Sequence, residues 1–254
     1  MRAPERKISV FPLAWEELET MPIEQKTLYV CLCFLVSELN VLQRLTLLSL
    51  KEFPDDPLYE HAAKIQSNTL IRIYSSKCFE VQRFVASCVK KCKDLEVREF
   101  AEDFELRFAV KNAGKGYAIA EHLRNKIGFH LDFREAMKST RNALGKTDCN
   151  LYIQESDGNC FFPVGEDIIQ GSCFWDAADD AKHAIKSEED HGAWVDWSMS
   201  VHALAKDMHG DAFERFVLSN LTEPLGDPIS HKVDGGMFAV VGDQSLPLFA
   251  VGRP

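Results

Sequence analysis

Ile71, Tyr74, Cys78, Val81, Val85, Cys88 and Cys92 recur at alternating steps of three and four over three heptads. That spacing places all seven on one face of an α-helix. A stripe so long predicts a helix buried along its whole length, so the rest of the chain has to supply the surface that covers it. Lys90, Lys91 and Lys93 follow at its end, where cations suit the helix dipole. The cover comes from the same pattern upstream. Leu28, Leu32, Leu35, Leu39 and Leu42 predict a helix from Ile23 to about Phe53, stopped by Pro54 and packed antiparallel to the first. A third helix, roughly Asp94 to Val110, buries Val97, Phe100, Phe104 and Phe108, and Lys111-Asn112-Ala113-Gly114-Lys115-Gly116 ends it. A fourth starts near Tyr117, carries Ile119, Leu123 and Ile127 on one face, and reaches His130.

Between Cys149 and Pro163 the pattern changes. Leu151-Tyr152-Ile153 and Cys160-Phe161-Phe162 flank Ser156-Asp157-Gly158-Asn159, which reads as a β-hairpin. Phe174, Ala177, Ala181 and Ile185 then mark a short helix. Trp194, Trp197, Val201, Leu204 and Met208 mark a longer one, with a break expected at Gly210. From Thr222 four prolines and several glycines predict a loosely attached tail with only Met237 to Val241 strand-like. The expected architecture is therefore mainly α, a helical bundle with one small β-hairpin. Residues 1–147 would form the bundle, 148–222 the hairpin and additional helices packed on it, and 223–254 an irregular tail.

At 254 residues the chain is within reach of one core. Its 46% hydrophobic and 27% charged residues exclude disordered and fibrous classes. With 29 Lys plus Arg against 39 Asp plus Glu, a net charge of −10 gives no general attraction to nucleic acid or anionic membranes, so an RNA contact needs a local basic patch. The most apolar run, Leu28 to Val36, is far short of the roughly 20 residues that cross a bilayer. The N-terminus also lacks the build of a signal peptide. A cytoplasmic protein without a membrane contact is expected, its eight cysteines mostly buried thiols.

Several motifs fail on their chemistry. Asp176, Asp179, Asp180 and His183, with His191, His202 and His209 after them, offer metal-ligand types at helical steps, yet no His-Glu-x-x-His pair joins them. Cys88 and Cys92 continue a core stripe and have no second Cys pair. Gly114-Lys115-Gly116 lacks the glycine five places before the Lys and the Ser or Thr after it that a phosphate loop requires. Neither a Gly-x-Ser-x-Gly elbow nor a Gly-x-Gly-x-x-Gly loop occurs. No metal and no cofactor is expected.

The segment Arg124-Asn125-Lys126-Ile127-Gly128-Phe129-His130 is different. Arg offers a permanent planar cation for a phosphodiester, Asn a polar anchor, and His a side chain poised for proton transfer near neutral pH. Those parts suffice for RNA cleavage without metal, because the 2′-hydroxyl of RNA is itself the nucleophile. On an ideal helix Arg124 and His130 stand about 120° apart, so their convergence requires a distortion near Gly128 or a second subunit. The competing reading is a buried Arg paired with a carboxylate such as Glu121, and a His closing the helix.

In its all-helical setting this segment resembles the HEPN superfamily, whose signature is Arg, a polar residue, and a His after four to six residues; Arg124, Asn125 and His130 match it. The tract Arg124 to Asp132 also looks like uncharacterised bacterial proteins akin to abortive-infection factors. The resemblance implies a homodimeric, metal-independent endoribonuclease of a defence or toxin system, with an antitoxin or other protein partner. Arg124 would contact the scissile phosphate, His130 act as acid or base, and Asn125 orient substrate. Lys115 and Lys126 are candidate RNA-backbone contacts. Asp132 stands where some members carry a Tyr that is modified by their antitoxin, so that regulation is not carried over. The alternative is a non-catalytic dimeric helical protein that binds a protein or nucleic acid. A metal-dependent hydrolase built on the His183 to His209 region is a third.

Overall fold

The apolar stripes become helices where their spacing places them. The computed structural model describes residues 6–50, 56–125, 133–142, 148–153, 159–170, 185, 187–234, 237–239, 241 and 246–249. In chain order these form β1 (Arg6–Val10), α1 (Trp15–Glu19), α2 (Ile23–Ser49), α3 (Pro57–Lys91), α4 (Leu95–Lys111), α5 (Lys115–Leu123), α6 (Phe133–Asn142), a short α7 (Pro163–Gly165), α8 (Glu188–Ala212) and β2 (Ile229–Val233). The architecture is mainly α-helical with a single two-stranded antiparallel sheet.

Capping residues explain where the long helices begin. Asp56 accepts the Leu58 N–H at 2.8 Å ahead of Pro57, and Asp94 accepts the Val97 N–H at 3.2 Å. Ser187 does the same for Asp190 at 3.2 Å before the acidic first turn of α8. Glu24 at the start of α2 accepts the N–H groups of Lys93 (2.8 Å) and Asp94 (2.6 Å) at the α3–α4 corner. Midway, Lys77 pairs with Glu38 at 2.8 Å. These two ties fix α2 and α3 antiparallel.

Every residue of the α3 stripe from Ile71 to Cys88 is buried, as are Leu28, Leu32, Leu35 and Leu39 of α2 and Val97, Phe100, Phe104 and Phe108 of α4. α8 packs against α2, α3, α4 and α5 and inserts Trp194, Trp197, Val201, Leu204 and Met208 into the same core. Its helix does not break at Gly210. It runs on to Ala212, passes into a π turn at Phe213–Val217 and ends in the 3-10 turn Leu218–Asn220. A helical glycine costs only about 1 kcal/mol, and burial of Met208, Ala212 and Phe216 on either side outweighs it.

The arms of the expected hairpin pair through one antiparallel bridge. Tyr152 and Phe161 exchange both backbone hydrogen bonds at 3.2 and 3.0 Å, and their rings stack with centroids 4.5 Å apart. The turn residues 154–158 lie outside the described residues, as does the helix expected around Phe174 to Ala181. Asp148 anchors this region to α3 by accepting from Tyr152 Oη at 2.7 Å and meeting His61 Nε2 at 3.1 Å. Arg72–Glu166 (2.8 Å) and Lys64–Asp167 (2.7 Å) dock the π turn Glu166–Gln170 on the same helix.

The regular sheet lies elsewhere. β1 pairs with β2 from Arg6↔Val233 to Val10↔Ile229, so the tail strand is Ile229–Val233 and not Met237–Val241. Both strands are exposed on both sides, apart from the half-buried Val233. With no face to bury they carry no alternation for a sequence reading to detect. The tail also folds back, the Leu246 N–H donating to Leu48 O at 3.1 Å.

Candidate functional site

Gly116 positions the site. A Cβ there would come to 2.1 Å from Ala193 O and 2.8 Å from Trp197 Cβ. Only glycine therefore lets the first turn of α5 lie against α8. That approach brings Tyr117 onto an aromatic group with Phe79 of α3 and Trp197 of α8, the three ring centroids 4.9 to 5.9 Å apart. Trp197 Nε1–H donates to Asn112 Oδ1 at 3.1 Å, and Asn112 Nδ2–H to Gln82 Oε1 at 2.8 Å. The α4–α5 loop is thereby held to α3 and α8.

Arg124 follows at the end of α5. Its guanidinium carbon lies 5.1 Å from the Phe79 ring centroid, a cation–π arrangement. Burial and, next, the positive charge of Arg83 lower its pKa, while Glu80 and Glu121 oppose the shift. Two guanidinium groups therefore share one surface between α3 and α5. Glu121 accepts from Tyr117 Oη at 2.7 Å; burial and this carboxylate push the phenol up to about 12. At Arg124 and Asn125 the backbone departs from α to π geometry, and Asn125 is exposed.

Of the residues singled out by sequence, Arg124 and Asn125 are adjacent on this surface. Lys126 and His130 lie outside the described residues. Lys115 sits at the other end of α5, about 13 Å along the helix from Arg124, and pairs with Asp190 at the start of α8. The site residues that sequence reasoning missed are Phe79, Arg83 and Tyr117. Phe79 and Arg83 are four apart on α3, a spacing that puts them together, but nothing in the sequence joins them to α5.

The imagined histidine cluster disperses. His202 is fully buried, its Nδ1 2.9 Å from Tyr74 Oη and its Nε2 3.1 Å from Asn40 Oδ1. His209 Nε2 lies 3.3 Å from Cys33 Sγ and its ring stacks on Tyr29. His191 meets the edge of Trp194. Asp176 to His183 lie outside the described residues, and no group of three or more His, Cys, Asp or Glu among the described residues could hold a metal ion. Cys88 is buried, its thiol pushed up to about 12 by burial and by Cys92.

In composition and length α2 passes for a membrane span, with mean hydropathy 1.5 over an 18-residue window; in the folded chain its leucine stripe is core. No family model, curated protein or solved structure matches the chain.

Proposed function

We propose that this protein is a metal-independent endoribonuclease of HEPN type. The observation that carries the reading is the Arg124 guanidinium, held on Phe79 beside Arg83 with Asn125 exposed next to it. A pair of half-desolvated guanidinium groups is the chemistry that receives a phosphodiester bidentately. RNA then supplies the nucleophile. Its 2′-oxygen attacks phosphorus while a base takes the hydroxyl proton, the bond from phosphorus to the 5′-oxygen breaks, and an acid protonates the leaving oxygen. The products are a 2′,3′-cyclic phosphate and a 5′-hydroxyl. His130 is proposed as the acid or base, Arg124 and Arg83 as the groups that offset charge on the phosphoryl oxygens, and Asn125 as a substrate anchor. The resemblance adds homodimeric assembly, a cytoplasmic setting, and a defence or toxin role with an antitoxin or other protein partner.

A second reading has its own support. Packing of Arg124 on Phe79 also suits a structural arginine in a non-catalytic helical binding protein. Cleavage of labelled RNA in excess chelator separates the two, comparing wild type with Arg124→Lys, Arg83→Ala and His130→Ala. The ribonuclease reading expects cyclic-phosphate ends, a loss of about 10²- to 10⁴-fold in His130→Ala, and failure of Lys to replace Arg124. No cleavage of any RNA by wild type, with Arg124→Lys less stable to heat, selects the structural reading.

A further inference from the structure

α2 turns an uncharged face to solvent. Eight of its residues are exposed, and Arg44 alone among them is charged, in a chain whose residues are 27% charged. Ile23, Val30, Phe34 and Val41 on that face are 69%, 43%, 61% and 44% exposed. With Thr27 and Ser37 between them they step by four and three, the spacing of a coiled-coil seam. This seam is about 27 Å long and lies on the opposite side of the helix from the leucine stripe that forms the core. Scattered exposed apolar residues are ordinary; a continuous seam of this length marks an interface.

We propose that the occupant is a second copy of this chain, with two α2 helices packed antiparallel about a two-fold axis. In that register the seam complements itself. Val30 faces Val41, the large Phe34 faces the small Ser37, and each pairing occurs twice, as a two-fold interface demands. A parallel pair would instead set Phe34 on Phe34 and Ser37 on Ser37, a clash beside a gap. Charge points the same way. Arg44 comes opposite Thr27 of the second copy and within one turn of its Glu24. The net charge of −10 makes two copies repel, and the stretch from Thr27 to Val41 adds no exposed carboxylate to that repulsion. Ile73 of α3, 40% exposed, and the stem of Lys77, whose ammonium lies 5.9 Å from the Phe34 ring centroid, widen the seam. The combined surface falls short of the about 800 Å² per partner of a standard stable interface, so the dimer is reversible. The interface is carried by α2 and not by α5, and it stands whether or not RNA is cleaved.

Sedimentation equilibrium of the full chain from low to high micromolar concentration tests it, with wild type, Phe34→Glu, Val30→Lys and Val41→Glu. Wild type is expected in a monomer–dimer equilibrium that tightens with salt, because salt screens the repulsion of two acidic chains. Phe34→Glu is expected monomeric with an unchanged thermal melt, since the side chain is already mostly in water. Val30→Lys and Val41→Glu are each expected monomeric alone and dimeric when mixed, because the introduced charges face each other only in the antiparallel register. A wild type monomeric throughout, a dimer that survives Phe34→Glu, or a mixture that stays monomeric overturns the proposal. Wild-type monomer that binds neutral phosphatidylcholine vesicles, with Phe34→Glu failing to bind, overturns it in favour of a lipid surface.

Discussion

Glycine 116 shows how much one missing side chain decides. Read in the sequence, Gly114-Lys115-Gly116 is a turn between helices, and Gly114 does cap α5. Gly116 instead sits inside the first turn, where the backbone of Ala193 occupies the space a Cβ would need. Gly116→Ala should force α5 off α8, and a loss of about 2–3 kcal/mol is expected for such overpacking. Gly210→Ala is the contrast. Nothing lies within 4 Å of its Cβ position, so alanine should stabilise α8 by about 0.5–1 kcal/mol through propensity alone. Urea unfolding of the two variants checks both signs, and a silent Gly116→Ala would contradict the close approach. Because Gly116 seats Tyr117 and, two turns on, Arg124, its alanine variant should also weaken any anion binding at the Arg83–Arg124 surface. Arg124 itself was legible as a candidate from residue type and spacing. Its stacking on Phe79 was not, since the two are joined by no local pattern.

At the level of elements, the α8 contact with α2 and α3 carries a polar clamp inside an apolar core. Tyr74 Oη, the His202 ring and Asn40 Oδ1 form a chain across the three helices. Burial, reinforced by Lys206, pushes His202 down to about 4, below its unfolded value of about 6.5. Between those values the unfolded chain binds a proton that the native chain refuses. The stability contribution is therefore complete above about pH 6.5 and is lost as pH falls toward 4, by up to about 3 kcal/mol. Urea midpoints from pH 7.5 to 4.5 should show this decline in wild type, and His202→Gln, which keeps a hydrogen-bonding side chain without the titration, should be flatter. A parallel decline in both would assign the effect to other groups. The helix stripe through Trp197, Val201, Leu204 and Met208 was readable from spacing. That His202 belongs to a buried clamp and not to a metal cluster was not, because Tyr74 and Asn40 come from helices more than a hundred residues away in sequence.

For the whole molecule, β1 and β2 join residues near the two ends of the chain on the outside of a bundle that does not depend on them. A two-stranded pair exposed on both faces is marginal by itself, so truncation after Leu221 should leave the far-ultraviolet helical signal intact and cost under about 2 kcal/mol. A truncated chain that unfolds would mean that Leu246 and its neighbours, through the bond to Leu48 O, brace α2 more than their exposure implies. The sequence by itself determined the class of fold, the long helices and nearly every core position. Each helix writes its buried face into local periodicity, and a local pattern needs no knowledge of what covers it. Tertiary structure alone decided which glycine had to be glycine, which arginines share a surface, and which strands pair. Those outcomes depend on distances between segments far apart in sequence, which no local spacing encodes.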